Sequence, residues 1–427
     1  MKLICDFHIH SKYSRATSRD MDLEHLDLWA KIKGIDVIGS GDFTHPAWLQ
    51  DLKTKLEPQE SGLFKLKKGL NEDLLKSSVL PPKIKETYFI LTTEISCIYS
   101  KAGRVRKIHL LIFAPDLKTV EKINVQLSWI GNLKSDGRPI LGLDAKELAK
   151  IVLTSNPNCL VVPCHIWTPW FSVFGSMSGF DSIQECFEEY SKYIFAGETG
   201  LSSDPEMNWR LSTLDKINLI SNSDAHSPAK IGREANIFDC ELSYEDIINS
   251  IRKKNPKKFL ATIEFFPEEG KYHFDGHRLC GIRWSPSETI KNKGICPKCK
   301  KPVTVGVMSR VEKLADRRLP KKPADSPDSL HLIPLEEIIA AVYGVSVGTK
   351  KTQEDYQNLV KNLGTEFEIL QDSPISEIEK FSSKEVADGV SRVRQGKVKL
   401  LPGFDGKYGK ILIFEKVPEE KKQMKLL

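Results

Sequence analysis

The chain has 427 residues, and 63 Lys and Arg against 57 Asp and Glu give a net charge of 63 − 57 = +6. Hydrophobic residues at 40% and charged residues at 28% exclude a disordered chain, and roughly 150 residues per domain suggests two or three domains. The longest apolar runs, such as Leu110 to Pro115, fall far short of the roughly 18 residues a membrane helix needs, and Met1–His10 lacks a secretory pattern. Membrane and secreted roles are therefore set aside, and a cytoplasmic, nucleoid-associated place is expected.

From residue 1 to about 266, short β-rich runs alternate with amphipathic stretches. The expected strands are Leu3–Phe7, Val37–Ser40, Phe89–Thr93, Ile108–Phe113, Cys159–Pro163, Phe195–Thr199 and Asn218–Ser221. Between the first two, Leu23, Leu26, Leu28, Ala30 and Ile32 mark an amphipathic helix over Asp22–Lys33. Residues 49–85 are polar and Lys-rich and read as a long surface excursion. This alternation predicts an α/β sheet or barrel with its site at the carboxyl ends of the strands. Composition changes after Phe266. Residues 281–322 hold 12 Lys and Arg against three Asp and Glu, an excess of 12 − 3 = +9. Pro320, Pro323, Pro327 and Pro334 then read as a linker, and 335–395 carries three or four helical patterns before two short strands within Val398–Phe414. The expected organisation is 1–266, a basic module 267–322, and a small, mainly helical domain 323–427.

In Cys5-Asp6-Phe7-His8-Ile9-His10 the histidines stand at i and i+2 of a strand, so both aim at one point. One such pair also fits an ordinary strand end. The remaining candidates sit in the same kind of place. Asp42 and His45 follow Val37–Gly41, Glu94 follows Ile90–Thr93, and His109 opens His109–Phe113. His165 follows Leu160–Cys164, and Asp224 and His226 follow Leu219–Ser223. Six of the ten histidines are placed in this way. Imidazoles and carboxylates converging from several strand ends describe a site for several divalent ions.

In this order, His-x-His, Gly-Asp-x-x-His, Glu, His, His and Asp-x-His resemble the polymerase and histidinol phosphatase (PHP) family. The resemblance implies a distorted (β/α)₇ barrel that hydrolyses phosphoesters at a trinuclear metal centre. It would place His8, His10, Glu94 and Asp224 on one metal and Glu94, His109 and His165 on a second. His45 and His226 would help hold a third. Glu94, Asp224 and His226 are the residues expected to carry catalysis. Two departures touch the third metal. Ser14-Arg15-Ala16-Thr17 stands where the family usually has an Asp, and the Asp-His pair is opened to Asp42-Phe43-Thr44-His45.

His277 and Cys280, then Cys296-Pro297-Lys298-Cys299, have the spacing of a structural His-Cys₃ zinc knuckle, with His273 as the rival fourth ligand. Six other cysteines lie in apolar surroundings and read as free thiols, which suits a reducing compartment. Around the knuckle, Arg283, Lys298, Lys300, Lys301 and Arg310 are expected to meet DNA phosphates, unless the run is only a solvated face. Trp167 and Trp170 follow the ligand His165 and are candidates for stacking on an unstacked base. There is no Walker or Rossmann glycine motif, so ATP-driven and dinucleotide chemistry have no support. The terminal Gln423-Met424-Lys425-Leu426-Leu427 lacks the two aromatics of a sliding-clamp peptide, which leaves clamp binding a minor alternative.

Within the PHP family the chain most resembles an archaeal DNA-repair branch, over nearly its full length. That resemblance implies a monomeric endonuclease on damaged DNA, cutting 5′ to deaminated bases (hypoxanthine, uracil) or abasic sites after base flipping. Zn²⁺ is expected at the knuckle and at the catalytic centre, with Mg²⁺ or Mn²⁺ as alternatives at the latter. A small-molecule phosphomonoesterase would leave the basic module without work. A non-catalytic DNA-binding module would leave the nearly full ligand set unexplained.

Overall fold

The structure, a computed structural model, describes residues 1–414; the candidate clamp peptide lies outside these residues. Seven strands form a ring around the candidate site. They are β1 (Lys2–Asp6), β2 (Val37–Gly39), β3 (Tyr88–Lys101), β4 (Arg104–Ala114), β5 (Leu160–Pro163), β6 (Ala196–Glu198) and β7 (Asn218–Ile220). All but β6 contain buried Val, Ile, Leu or Phe, as strands covered on both faces require; β6 is the buried run Ala196-Gly197-Glu198. β1–β2–β3 pair in parallel, with Cys5 opposite Val37 and Val37 opposite Tyr88. β3 and β4 are antiparallel from Leu91–Ala114 to Lys101–Arg104, and β5 is antiparallel to β4, which is the distortion of the ring. β6 and β7 are parallel. The ring closes through single contacts: Ile166 N to Glu198 O at 2.9 Å, and His10 N to Ala225 O at 3.0 Å.

Outside the ring, β8 (Ala235–Asp239), β9 (Phe259–Glu264) and β10 (Asp328–His331) continue the sheet from β1. β10 lies in the Pro-rich stretch that composition marks as a linker. It pairs in parallel with β9, from Ala261–Asp328 to Glu264–His331. The 49–85 stretch is also more than a surface excursion. Buried Leu56 and Phe64 bring a short hairpin onto the sheet edge, with Phe64 opposite Phe89.

The expected helix appears as Leu23–Lys33, with the Asp22 side chain accepting from His25 N as its N-cap. The helical layer shares one hydrophobic cluster with the C-terminal helices, running from Leu26, Trp48 and Leu148 to Ile338, Leu359 and Val390. The C-terminal part is mainly helical and ends in the antiparallel pair Lys399–Leu401 and Lys410–Leu412. No helix among the described residues is long and apolar enough to cross a membrane.

Candidate metal centre

The ligand-bearing loops leave the strand ends sharply. Asp42, His165 and Asp224 all have positive φ, at 47°, 30° and 47°, a region that non-glycine residues rarely adopt. Such conformations persist only where the surroundings hold them, and here they turn three candidate side chains toward one space.

Glu94 is fully buried and offers one oxygen to each of two groups. Oε2 lies 3.5 Å from His8 Nε2 and 3.2 Å from His10 Nε2, and His10 Nε2 is 3.0 Å from Asp224 Oδ1. Oε1 lies 2.5 Å from His109 Nδ1 and 3.2 Å from His165 Nε2. In both groups, His8–His10–Glu94–Asp224 and Glu94–His109–His165, the ligand atoms lie within 4.8 Å of one another. Burial alone would raise the carboxyls of Glu94 and Asp224, yet both are held well below the usual range. Beside Glu94 the cause is His109, Arg138 and His8; beside Asp224 it is His10 and His8. Burial pulls His109 down to about 4, against the pull of Glu94, so it is a neutral donor near pH 7.

A further layer orients these ligands. Glu198 Oε1 sits 2.9 Å from His8 Nδ1 and also accepts from Asn222 Nδ2 at 2.8 Å, while Glu198 Oε2 accepts from His165 N at 2.9 Å. Asp42 Oδ1 meets His10 Nδ1 at 3.1 Å, and its Oδ2 accepts from Ser11 N and Ser14 Oγ at 2.6 and 2.8 Å. Asp6 accepts from Ser223 N and Gly232 N, which fixes the loop carrying Asp224 and His226. His8 Nε2 is buried and has no hydrogen-bond partner. A carboxylate-held imidazole with its other nitrogen bare is the donor a divalent ion takes, so the residues fit such ions.

The two histidines expected at a third metal are not gathered with these groups. His45 stacks on Tyr13 with ring centroids 4.4 Å apart. His226 lies 4.6 Å from the His10 ring, with Nδ1 2.9 Å from the Asp224 carbonyl. Neither belongs to a ligand group among the described residues. The opened Asp42-Phe43-Thr44-His45 spacing commits Asp42 to His10 and sends His45 to Tyr13.

His277, Cys280, Cys296 and Cys299 converge as a second candidate site, with Cys299 Sγ 3.9 Å from the His277 ring nitrogens. His273 is buried elsewhere and takes no part. Arg283, Lys298, Lys300 and Lys301 are exposed around the knuckle. Two expected DNA contacts need correction. Arg310 is buried, donating to Phe174 O, Phe180 O and Asp181 Oδ1, so it docks the helix Val307–Leu314 on the barrel. Trp167 is 1% exposed, and its Nε1–H donates to Asn208, so it is loop core. Trp170 is 38% exposed and meets Tyr272 edge-on at 5.8 Å, on the seam between barrel and knuckle module.

The sequence matches the family described as PHP-associated over residues 209–256 and the one described as MJ0043 C-terminal domain over 334–397. It is 35% identical over 250 residues to the uncharacterized protein MJ0043 of Methanocaldococcus jannaschii. That match covers 57% of this chain and 31% of the relative, so the chain spans under a third of that protein. It is 27% identical over 421 residues to the uncharacterized protein YqxK of Bacillus subtilis, covering 96% and 99% of the two chains. Among solved structures, the lesion-specific endonuclease PfuEndoQ of Pyrococcus furiosus superposes with a TM-score of 0.83 at 30% identity, over 100% of this chain and 98% of that one. The chain belongs to the endonuclease Q family. A second endonuclease Q structure, in complex with a 27-mer duplex carrying an abasic lesion at the active site, superposes with a TM-score of 0.81 at 30% identity, over 100% and 99% of the chains.

Against this family background, two residues of the centre escaped sequence reasoning. Glu198 is the last residue of β6, within the expected run Phe195–Thr199, so the expectation of ligands at strand ends would have found it; Glu94, expected just past a strand, lies inside β3. Arg138 donates from Nη1 to Glu94 Oε2 at 3.0 Å. No spacing pattern points to it, because it lies on a loop joining no two recognised strands.

Proposed function

We propose that the chain is a metal-dependent DNA-repair endonuclease that hydrolyses the phosphodiester 5′ to a deaminated base or abasic site. The observation that carries this reading is the pair of ligand groups sharing Glu94, in a chain that superposes over its whole length on lesion-specific endonucleases. His8, His10, Glu94 and Asp224 would hold one divalent ion, and Glu94, His109 and His165 a second. Zn²⁺ suits the imidazole-rich donors, with Mg²⁺ or Mn²⁺ as alternatives, and a structural Zn²⁺ suits His277, Cys280, Cys296 and Cys299. When bound, the catalytic ions supply Lewis-acid polarisation of the phosphate and activation of the attacking water.

The chain's own groups do the remaining work. Glu198 and Asp42 hold His8 and His10 by Nδ1, which keeps each Nε2 available. His226 donates from Nδ1 to the Asp224 carbonyl, which leaves Nε2 as the atom able to take a proton. Burial and the neighbouring His10 lower its pKa, so it is neutral near pH 7 and suited to a general base. The exposed Arg283, Lys298, Lys300 and Lys301 would bind duplex phosphates, and Trp170 would stack on an unpaired base. Flipping favours deaminated and abasic sites because their pairing is already weak.

The test uses end-labelled duplexes with hypoxanthine, uracil, an abasic site or no lesion, incubated with protein and divalent metal. A nick 5′ to each lesion is expected, with the undamaged duplex intact. Phosphate release from small esters without nicking would point to a phosphomonoesterase. Retarded but intact lesion DNA would point to a binding module.

A further inference from the structure

Arg138 lies at the centre beside Glu94, close enough to Asp224 and His226 for its charge to act on both. The residues on either side of it, Gly137 and Pro139, are pinned to segments that carry the site. Gly137 N donates to Tyr13 O at 3.0 Å, Thr44 Oγ1 to Gly137 O at 3.3 Å, and Ser96 N to Pro139 O at 3.0 Å. Ile140 and Leu141 then pair with Ser96 and Cys97 of β3, two residues beyond Glu94. Gly137 permits this approach: a Cβ there would sit 2.2 Å from Asp42 Oδ2. One residue back, Asp136 accepts from Arg138 N at 3.1 Å and pairs with Arg15 Nε at 3.2 Å. Arg15 is the residue at which the sequence departs from the family's acidic pattern, so the same loop draws a second cation to this rim.

A guanidinium has five N–H donors. Arg138 gives one to Glu94 Oε2, and its side chain has no other hydrogen-bond partner among the described residues. It is 27% exposed, while Glu94 is fully buried, so the head lies between the shared ligand and the outside of the centre. A salt bridge that served only to neutralise Glu94 would not need an open face.

From this geometry we propose that Arg138 is a catalytic residue that contacts the scissile phosphate, donating to its non-bridging oxygens from the His226 side of the centre. This rests on the phosphoesterase reading above and adds to it the group that takes the charge of the substrate directly. The planar fork of Arg matches a phosphate in a two-point contact, which a lysine does not reproduce. Donors pre-set beside developing charge act without reorganising during the reaction. The free donors leave room for a phosphate oxygen while Nη1 keeps Glu94.

The experiment compares the full chain with Arg138→Ala and Arg138→Lys, each loaded with metal, by three readouts. These are nicking of an abasic duplex, metal content by elemental analysis, and calorimetric affinity for inorganic phosphate. Arg138→Ala should cut about 10²–10³-fold more slowly, the loss typical of one transition-state donor. Its metal content should stay at the wild-type value, and its phosphate affinity should fall about tenfold, the equivalent of one charged hydrogen bond. Arg138→Lys should recover only part of the rate, and added guanidinium ion should partly restore Arg138→Ala. Loss of metal from both variants would overturn the proposal, because Arg138 would then be a counter-ion that holds Glu94. Wild-type rate and phosphate affinity in Arg138→Ala would overturn it equally. A wild-type protein that cuts no lesion, together with a drop in phosphate affinity on Arg138→Ala, would sink the endonuclease reading while sustaining this one.

Discussion

Glu94 is the residue on which the centre turns, because each of its two oxygens faces a different ligand group. Removing its charge takes a shared ligand from both groups. Glu94→Gln should therefore abolish nicking and strip metal, while affinity for duplex DNA stays near wild type, since the exposed basic residues are untouched. Glu198→Gln is expected to behave differently. Glu198 lies outside the two groups that share Glu94; it orients His8 through Nδ1, and partners of that kind typically alter metal affinity about 10–100-fold. Metal titration followed by an activity assay at saturating metal separates the two. Glu198→Gln should regain most of its rate when metal is raised, and Glu94→Gln should not. Equal recovery of both would mean that the bridging role of Glu94 is wrong.

Two elements depend on contacts outside themselves. The first is the knuckle segment around His277, Cys280, Cys296 and Cys299, where strands Asp275–His277 and Ile282–Trp284 are only three residues each. A unit this small draws its folding energy from the metal. Cys296→Ser should unfold the knuckle up to the helix Val307–Leu314, which stays docked on the barrel through Arg310, as read by hydrogen exchange, and should weaken duplex binding without loss of metal from the barrel. The second is edge strand β10, whose His331 pairs with Asp204 Oδ2 at 3.3 Å. Burial disfavours the imidazolium, but Asp204, with Glu264 and Glu206 nearby, raises its pKa from 6.5 to about 9. The folded pKa is above the unfolded one, so the ion pair stabilises fully below about pH 6.5 and is lost as pH rises through about 9. Urea unfolding between those limits should show stability falling with pH in the wild type and a flatter profile in His331→Gln. Parallel profiles would remove His331 as the source.

At the scale of the molecule, the barrel and the C-terminal helices are locked by a buried charge pair. Lys33, at the end of the helix Leu23–Lys33, donates to Glu366 Oε2 at 2.8 Å. Glu366 also accepts from Tyr356 Oη at 2.8 Å and Leu335 N at 3.1 Å. Both charged side chains are 5% exposed. Lys33→Ala would strand the Glu366 carboxylate in the interior, at a cost of about 3–5 kcal/mol, whereas Lys33→Met with Glu366→Gln should cost far less. Denaturant titration of the single and double variants checks this. The surface that meets DNA is a separate matter of long-range charge. Lys298 is tethered to Cys280 O at 2.7 Å, so Lys300 and Lys301 are the freer probes of the knuckle face. Neutralising those two should leave the fold intact and lower the log–log salt dependence of duplex binding by roughly 0.9 for each phosphate they neutralise in the wild type. An unchanged slope would show that this face is only solvated and that DNA lies against the barrel rim.

The sequence by itself determined the places of the seven ring strands, the helix capped by Asp22 and the residue types of the candidate centre. These are local properties: runs of β-branched and aromatic residues, helical spacing, and histidines or acids beside such runs, although Glu94 and His109 lie inside the long strands β3 and β4 and not past a strand end. It also determined the knuckle, since Cys-x-x-Cys with a matching His-x-x-Cys is a short-range pattern. Only the tertiary structure decided which candidates meet. Arg310 and Trp167 read as surface residues by composition, yet packing buried both, because burial depends on what another segment places above a side chain. Likewise, His45 shares a strand end with Asp42 but turns to Tyr13, while Arg138, on a loop with no strand signal, reaches Glu94 across 44 residues of sequence. The Pro-rich stretch became β10 because β9 offered an open edge, which no local pattern records. Spacing along the chain fixes which face a residue takes. Contacts between distant segments fix what that face finds there, and the centre is made almost wholly of such contacts.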